Sequence, residues 1–256
     1  MELVRSPLLA AFAHGFTTRA GGVSAPPYDR LNLGGAVGDD PARVVENWRR
    51  LEARTGLRFA RVRQVHGTRA VRLHAPCEPA EEADAVLTAG AGVAACVSVA
   101  DCVPVLLADP ATGAVAAVHA GWRGTLAGAA AEAVGAMRRE FGTPPERLLA
   151  VLGPSIGPCC YEVSEDVAAP FAARFGGDVV RGPLPGHAEG PHLDLWAANG
   201  RVLARAGVAP ERLDVVGACT SCERERFFSH RRDRGRTGRQ VAFIAPRPPT
   251  GGGGVP

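Results

Sequence analysis

The sequence predicts an α/β fold: a single domain with mixed β-sheets layered against flanking helices, in an α/β/β/α-like arrangement. Three observations carry this reading. Residues 83–109 form an almost unbroken Val- and Ala-rich run, the pattern of strands buried on both faces. Segments with apolar residues at helical spacing lie outside this run, at 41–55, 122–142, 164–175 and 194–207. No internal repeat or linker interrupts residues 1–245, so one catalytic domain is expected there, followed by a disordered Pro/Gly-rich tail at 246–256.

In chain order, residues 11–35 read as a strand entering a long Gly/Pro-rich loop. Asp40 is placed to cap a helix over 41–55, Pro41 suits its first position, and Val44, Val45, Trp48 and Leu51 recur at helical spacing. Residues 61–73, "RVRQVHGTRAVRL", read as a hairpin turning at Gly67-Thr68. The buried run follows, then a strand at 114–121 after the "DPATG" turn. One helix is expected from Trp122 to Gly142, with Arg138 and Arg139 in its last turn. Residues 146–163 read as a strand and a Gly/Pro loop, 164–175 as a helix, and 176–192 as a mobile surface loop. A helix at 194–207 and strands at 212–220 and 239–246 complete the domain.

With 256 residues, 46% of them hydrophobic, the chain can bury a core that needs no disulfide or metal staple. A net charge of +3 without any basic block argues against a nucleic-acid partner. All 29 basic residues are arginine, which reads as a compositional bias of the genome. Seven cysteines, an odd number without a framework rhythm, suit reduced thiols. The opening stretch lacks the pattern of a signal peptide, and no run of about 18 apolar residues suggests a membrane span. A cytoplasmic location without a membrane partner is expected.

The stretch "ADCVPVLLADPATGAVAAVHAGW", residues 100–122, sets a thiol and an imidazole around a turn. If Asp109–Thr112 is a four-residue loop, Ala108 pairs with Gly113, and the same register sets Cys102 opposite His119. Their Cβ atoms would then lie about 4.5–5.5 Å apart. One metal ion could take both side chains, the imidazole could hold the thiol as a thiolate, or both could be packing. Pro104 warns of a bulge that could slip this register. Asp101, Trp122 and Arg123 flank the pair, and His66, beside Gly67, is a third candidate.

The stretches "QVHG", "ADCVPVLL", "AAVHAGWRGT", "GPSIGPCCYEV" and "CTSC…FFSHRRD…TGRQVAFI" resemble the multicopper polyphenol oxidase, or laccase-domain, family. That family is also called the peptidoglycan editing factor or purine nucleoside phosphorylase LACC1-type family. "TTRAGGVS…YDRLNLGGAVGDDPARVVENW" resembles its N-terminal signature, and the match runs in order from about residue 12 to residue 245. The resemblance implies one catalytic zinc, with copper as the alternative, held by His66, Cys102 and His119. One thiolate with two imidazoles suits zinc, and three protein ligands leave a fourth position for water or substrate.

The implied reactions are phosphorolysis of adenosine, inosine or methylthioadenosine to base and ribose 1-phosphate, and hydrolytic deamination of adenosine. Purine nucleoside and phosphate are thus the implied partners. Arg123 at a helix start and Arg231, Arg232 and Arg239 are candidates for phosphate. Tyr161 and Glu162 are expected near the pocket, and Asp101 reads as a proton shuttle or as the partner that orients a ligand histidine. His230 stands where the family pattern has an aromatic residue, which bears on the shape of the base pocket.

Three other readings compete. A copper laccase should carry His-x-His pairs and an axial Met, but no two histidines are two apart and only Met1 and Met137 exist. A metal-free hydrolase acting in peptidoglycan precursor editing could use Cys102 as nucleophile and His119 as base. A binding module would turn nothing over. Adjacent Cys159-Cys160 reads as loop packing, and Cys219-x-x-Cys222 as an isolated pair of thiols.

Overall fold

The computed structural model describes residues 1–182 and 190–246. The strands are β1 (Leu3–Val4), β2 (His14–Thr17), β3 (Arg58–Ala60), β4 (Ala70–Arg72), β5 (Ala85–Thr88), β6 (Val93–Val99) and β7 (Val103–Ala108). They continue with β8 (Val115–Ala120), β9 (Leu149–Leu152), β10 (Val180–Arg181), β11 (His192–Leu193), β12 (Leu213–Val215) and β13 (Gln240–Ile244). The helices are α1 (Pro41–Thr55), α2 (Trp122–Ala127), α3 (Ala129–Phe141), α4 (Glu165–Phe175) and α5 (Leu195–Arg205).

Two mixed sheets form the centre, one in the order β1-β2-β13-β6-β3 and one in the order β12-β9-β7-β8-β5-β4. They pack face to face: Phe16, Ala95, Val97, Ala242 and Ile244 of the first meet Val86, Leu106, Ala117 and Val151 of the second. Strand alternation supplies the outer layers. Ala94, Cys96 and Phe243 turn outward onto Val44, Trp48 and Leu51 of α1. Val103, Val105, Leu107, Ala116 and Val118 turn onto α3, α4 and α5 through Val134, Met137, Phe171 and Leu203. Each central strand is therefore buried on both faces, which is why its sequence is apolar without interruption. The α/β/β/α layering expected from the sequence is the observed one.

Helix α1 starts where Asp40 accepts the Ala42 N–H at 2.9 Å, a cap worth about 1 kcal/mol, and ends at Gly56 with φ +68°. Val45, expected in its apolar face, is exposed because the stripe runs through 44, 48 and 51. The helix expected over 122–142 is two helices. Gly128 takes φ +93°, and its N–H closes on the carbonyls of Gly124 and Thr125, ending α2 and starting α3 in a new direction.

The hairpin expected at 61–73 is not formed. β3 runs parallel to β6 in one sheet and β4 parallel to β5 in the other, so residues 61–69 cross between layers. Val62 and Val71 bury themselves in the core between the sheets, and that burial overrides the local turn signal. The β7–β8 register is also corrected. The loop has four residues, as expected, but they are Pro110–Gly113, because Asp109 pairs with Ala114 and the loop closes on Gly113 at φ +75°. His119 therefore faces Pro104, and Cys102 lies two residues before it.

Of the loop expected at 176–192, Val180–Arg181 and His192–Leu193 pair as β10 and β11, and residues 183–189 lie outside the described residues. The tail from 247 to 256 lies outside them too. No helix among the described residues is long and apolar enough to cross a membrane.

Candidate metal centre and active site

Three separate segments bring His66, Cys102 and His119 to one end of the space between the sheets. His66 sits on the crossover from β3 to β4, Cys102 in the tight link between β6 and β7, and His119 near the end of β8. One ligating atom from each lies within 4.8 Å of the others. The two imidazole centroids are 4.8 Å apart and the rings are nearly perpendicular, at 81°.

Local backbone conformation makes this convergence possible. His66 and Asp101 take φ +61° and +86°, left-handed values that cost a non-glycine residue about 1–3 kcal/mol and persist when surrounding contacts enforce them. For His66 the enforcing contacts are visible. The Gln64 side-chain amide pairs with both backbone groups of Ser98 at 2.7 and 2.8 Å, fastening the crossover to β6. Asp84 accepts the backbone N–H groups of Val65, His66 and Gly67 at 3.3, 2.9 and 2.6 Å. Gly121 leaves the room between ligands, since a Cβ there would stand 2.9 Å from Cys102 Sγ and 3.3 Å from His66 Cδ2.

Asp84 also bonds Nδ1 of His119 at 2.8 Å, so the ring turns its Nε2 toward Cys102. Burial alone pushes the Cys102 thiol up, but the His119 and His66 imidazoles outweigh it and hold the thiol down at about 6. Burial pushes the His119 imidazolium down, yet the Cys102 thiolate and the Asp84 carboxylate raise it to about 9. Burial works against the Asp84 carboxylate as well, but His119 and the Gly67 N–H leave it below its ordinary range. A thiolate and two imidazoles, one braced by a buried carboxylate, match the donor set and supporting shell of a zinc site.

The expectation that Asp101 orients a ligand histidine is corrected: Asp84 does so. The Asp101 oxygens accept instead from Thr220 Oγ1 and from the Arg231 backbone N–H, both at 2.6 Å. Sequence reading missed Asp84, although its carboxylate at the head of the apolar stretch 83–88 is a signal, because an unpaired carboxylate is not buried cheaply.

The remaining candidates divide. Arg231 donates to the Glu162 carbonyl at 2.5 Å and lies 5.1 Å over the Tyr161 ring. Trp122, Tyr161, Glu162, Val167 and Arg231 line an open groove of about 570 Å³. Burial pushes the Tyr161 hydroxyl up to about 12, with a further upward push from the Cys102 charge, so the groove lies within the field of the triad. Arg123 is exposed on the first turn of α2, 4.2 Å over the Trp122 ring. Arg239 is held by the carbonyls of Thr237 and Gly238 at 3.1 and 2.9 Å. Its pKa is lowered by burial, against the pull of Cys102 and Asp101.

Arg232 is a correction. All five of its N–H donors are taken, by both Asp233 oxygens and by the carbonyls of Thr220, Ser221 and Phe227, so none is left for phosphate. His230 is exposed, its carbonyl accepting the Gly235 N–H at 2.8 Å. A second open groove, about 510 Å³, is lined by Arg19, Arg224 and Arg236 with Asp29 and Asp233; none of the three triad residues lines either groove. The separate readings of Cys159-Cys160 and Cys219-x-x-Cys222 are corrected as well, because the fold brings the four sulfurs together.

The family model described as multi-copper polyphenol oxidoreductase laccase matches residues 13–247. The chain is 47% identical to a protein of Deinococcus radiodurans named purine nucleoside phosphorylase, over 95% of this chain and 92% of that one. It is 46% identical to a Streptomyces coelicolor protein named purine nucleoside phosphorylase SCO2081, over 90% and 93%. The crystal structure of YlmD from Geobacillus stearothermophilus superposes with a TM-score of 0.87 at 37% identity, covering 97% of both chains.

Proposed function

The chain belongs to the multi-copper polyphenol oxidoreductase laccase family, and on that premise we propose that it is a zinc-dependent purine nucleoside phosphorylase that also deaminates adenosine. It acts on adenosine, inosine or methylthioadenosine in the cytoplasm, through one catalytic domain over residues 1–245. The observation that carries the reading is the convergence of His66, Cys102 and His119 with Asp84 behind it. The relatives named purine nucleoside phosphorylase supply the substrate class. Zinc held by these three side chains would supply Lewis acidity to the reaction.

Phosphorolysis forms a bond from a phosphate oxygen to C1′ of the ribose as the bond from C1′ to N9 breaks and its electron pair leaves with the base. The anion needs fixed cations. Arg239, half-buried within the field of Cys102 and Asp101, is the first of these; Arg231 lines the groove, and Arg123 stacks on Trp122, which also lines it. Tyr161 offers the base an aromatic ring, one face of which the Arg231 guanidinium covers, and Asp101 accepts the Arg231 backbone N–H. In deamination water replaces the C6 amino group, which departs as ammonia. His119 passes no proton to Asp84, whose carboxylate holds the ring orientation and steadies its charge.

Metal analysis of purified protein, coupled to adenosine turnover with and without phosphate, tests the reading. One zinc at the triad is expected, with adenine and ribose 1-phosphate formed when phosphate is present and inosine and ammonia when it is not. Cys102→Ala should lose that zinc and both activities together; a variant that keeps either activity at full rate overturns the proposal.

One observation favours a second reading. Cys102 at about 6 beside His119 at about 9 is the thiolate–imidazolium arrangement of a cysteine nucleophile, as a metal-free hydrolase of cell-wall precursors would need. Chelator-treated protein that remains active and is stopped by iodoacetamide supports that reading against the first.

A further inference from the structure

We propose that Cys159, Cys160, Cys219 and Cys222 form a second metal site, an all-thiolate cage for one zinc ion, separate from the His66–Cys102–His119 triad. Their sulfurs all lie within 4.8 Å of one another. Cys222 Sγ is 3.4 Å from that of Cys160 and 3.6 Å from that of Cys159. Four sulfurs at the ordinary Zn–S length of about 2.3 Å sit about 3.8 Å apart at the corners of a tetrahedron, so small side-chain adjustments close the cage.

The backbone is arranged as thiolates require. The Gly157 N–H points at Cys219 Sγ from 3.3 Å, and the Cys222 N–H is directed at the same sulfur, so the C-x-x-C segment wraps one thiolate with amide donors. Arg232, ion-paired with Asp233, lays its guanidinium on the carbonyls of Thr220 and Ser221 and so fixes the backbone of that segment. Each thiol gives its proton to solvent on binding. Cys219 is buried, Cys159 and Cys160 are half-buried, and Cys222 is exposed, which leaves an entry path.

The two segments are already laced together by Ser155 N–H on the Ala218 carbonyl and Thr220 N–H on the Ser155 carbonyl, at 3.2 and 3.0 Å. One carries Tyr161 and Glu162 of the groove, and the other carries Thr220, which bonds Asp101. The ion pins the wall of the groove; it does not take part in the chemistry. A four-sulfur tetrahedral set selects zinc or an iron centre over the harder cations.

The test uses Cys102→Ala, which removes the triad, so its outcome does not depend on the nucleoside reading. Purified under reducing conditions with zinc supplied, wild-type protein should hold one zinc equivalent more than the triad accounts for. Cys102→Ala should keep one equivalent, and Cys102→Ala/Cys222→Ser should lose most of it. Cobalt loaded into Cys102→Ala should give the intense sulfur-to-cobalt charge-transfer band of a tetrahedral thiolate site, a readout that needs no further variant. No zinc or cobalt in Cys102→Ala overturns the proposal. So does a thiol count showing a disulfide among the four cysteines, or an iron centre in place of zinc.

Discussion

The Asp84 carboxylate stands 2.8 Å from Nδ1 of His119 while it accepts the backbone N–H of His66 at 2.9 Å. A single buried side chain thus aims one ligand ring and fixes the backbone of another. Loss of such an outer partner lowers metal affinity about 10–100-fold. Asp84→Asn should show this loss in a competition titration against a chromophoric chelator; unchanged affinity would remove Asp84 from the centre.

The triad's protons set the pH course of metal loading. His119 is raised to about 9 and Cys102 lowered to about 6, so between those values loading must displace a proton from His119, and below about pH 6 another from Cys102. Calorimetry in buffers of different ionisation enthalpy counts these protons, and a count that is flat through pH 6 refutes the assignment. In metal-free protein the stability slopes oppose. The Cys102 contribution is lost as pH falls through about 6, and the His119 contribution is lost as pH rises through about 9.

Gly121→Ala places a methyl 2.9 Å from the Cys102 sulfur and 3.3 Å from the His66 ring. The backbone at Gly121 has φ −70°, which alanine adopts freely, so the folding cost is only that of local overpacking, about 1–3 kcal/mol. The expected outcome is a folded protein by circular dichroism with its triad zinc displaced. Full zinc content would mean that the Cys102 sulfur can yield to a methyl 2.9 Å away and still bind the ion.

Arg239→Gln removes a half-buried cation that lies within the field of Cys102 and Asp101. Charge-assisted hydrogen bonds of about 1.5–3 kcal/mol correspond to roughly 10–100-fold in phosphate affinity. Phosphorolysis at low phosphate should fall by that factor while deamination, which needs no phosphate, is spared. Equal loss of both activities points to a structural part for Arg239.

Asp109 anchors the β7–β8 loop, accepting from Ala111 N–H, Thr112, Thr143 and Arg147 with no exposure of its own. Burial opposes its ionisation, but these partners hold it far below the carboxylate range. Its contribution to stability is complete above about pH 4 and is lost as pH falls toward its folded value. Asp109→Ala should cost about 3 kcal/mol in denaturant unfolding at neutral pH. It should also weaken the acid sensitivity of the wild type.

Legibility followed the range of the interactions involved. Helix α1 could be read because Asp40, Pro41 and Gly56 act on their own neighbours. The break at Gly128 could not, since one glycine among alanines is no local stop signal and only packing selects its left-handed conformation. Gly67 reads as a turn residue, yet its N–H bonds Asp84, seventeen positions away. The register near Cys102 slipped because Gly113, and not Thr112, closes the loop. The four-cysteine cluster needed two loops about 60 residues apart to meet, which no spacing within either loop announces.

The crossover that carries His66 leaves one layer at β3 and joins the other at β4. Any tension on that imidazole is therefore shared by both halves of the molecule, and an ion held by it acts as a rivet through the sandwich. Loss of such an ion would loosen that end of the sandwich without opening it, because the β5–β6 and β6–β7 links also pass between the sheets and the apolar core joins them.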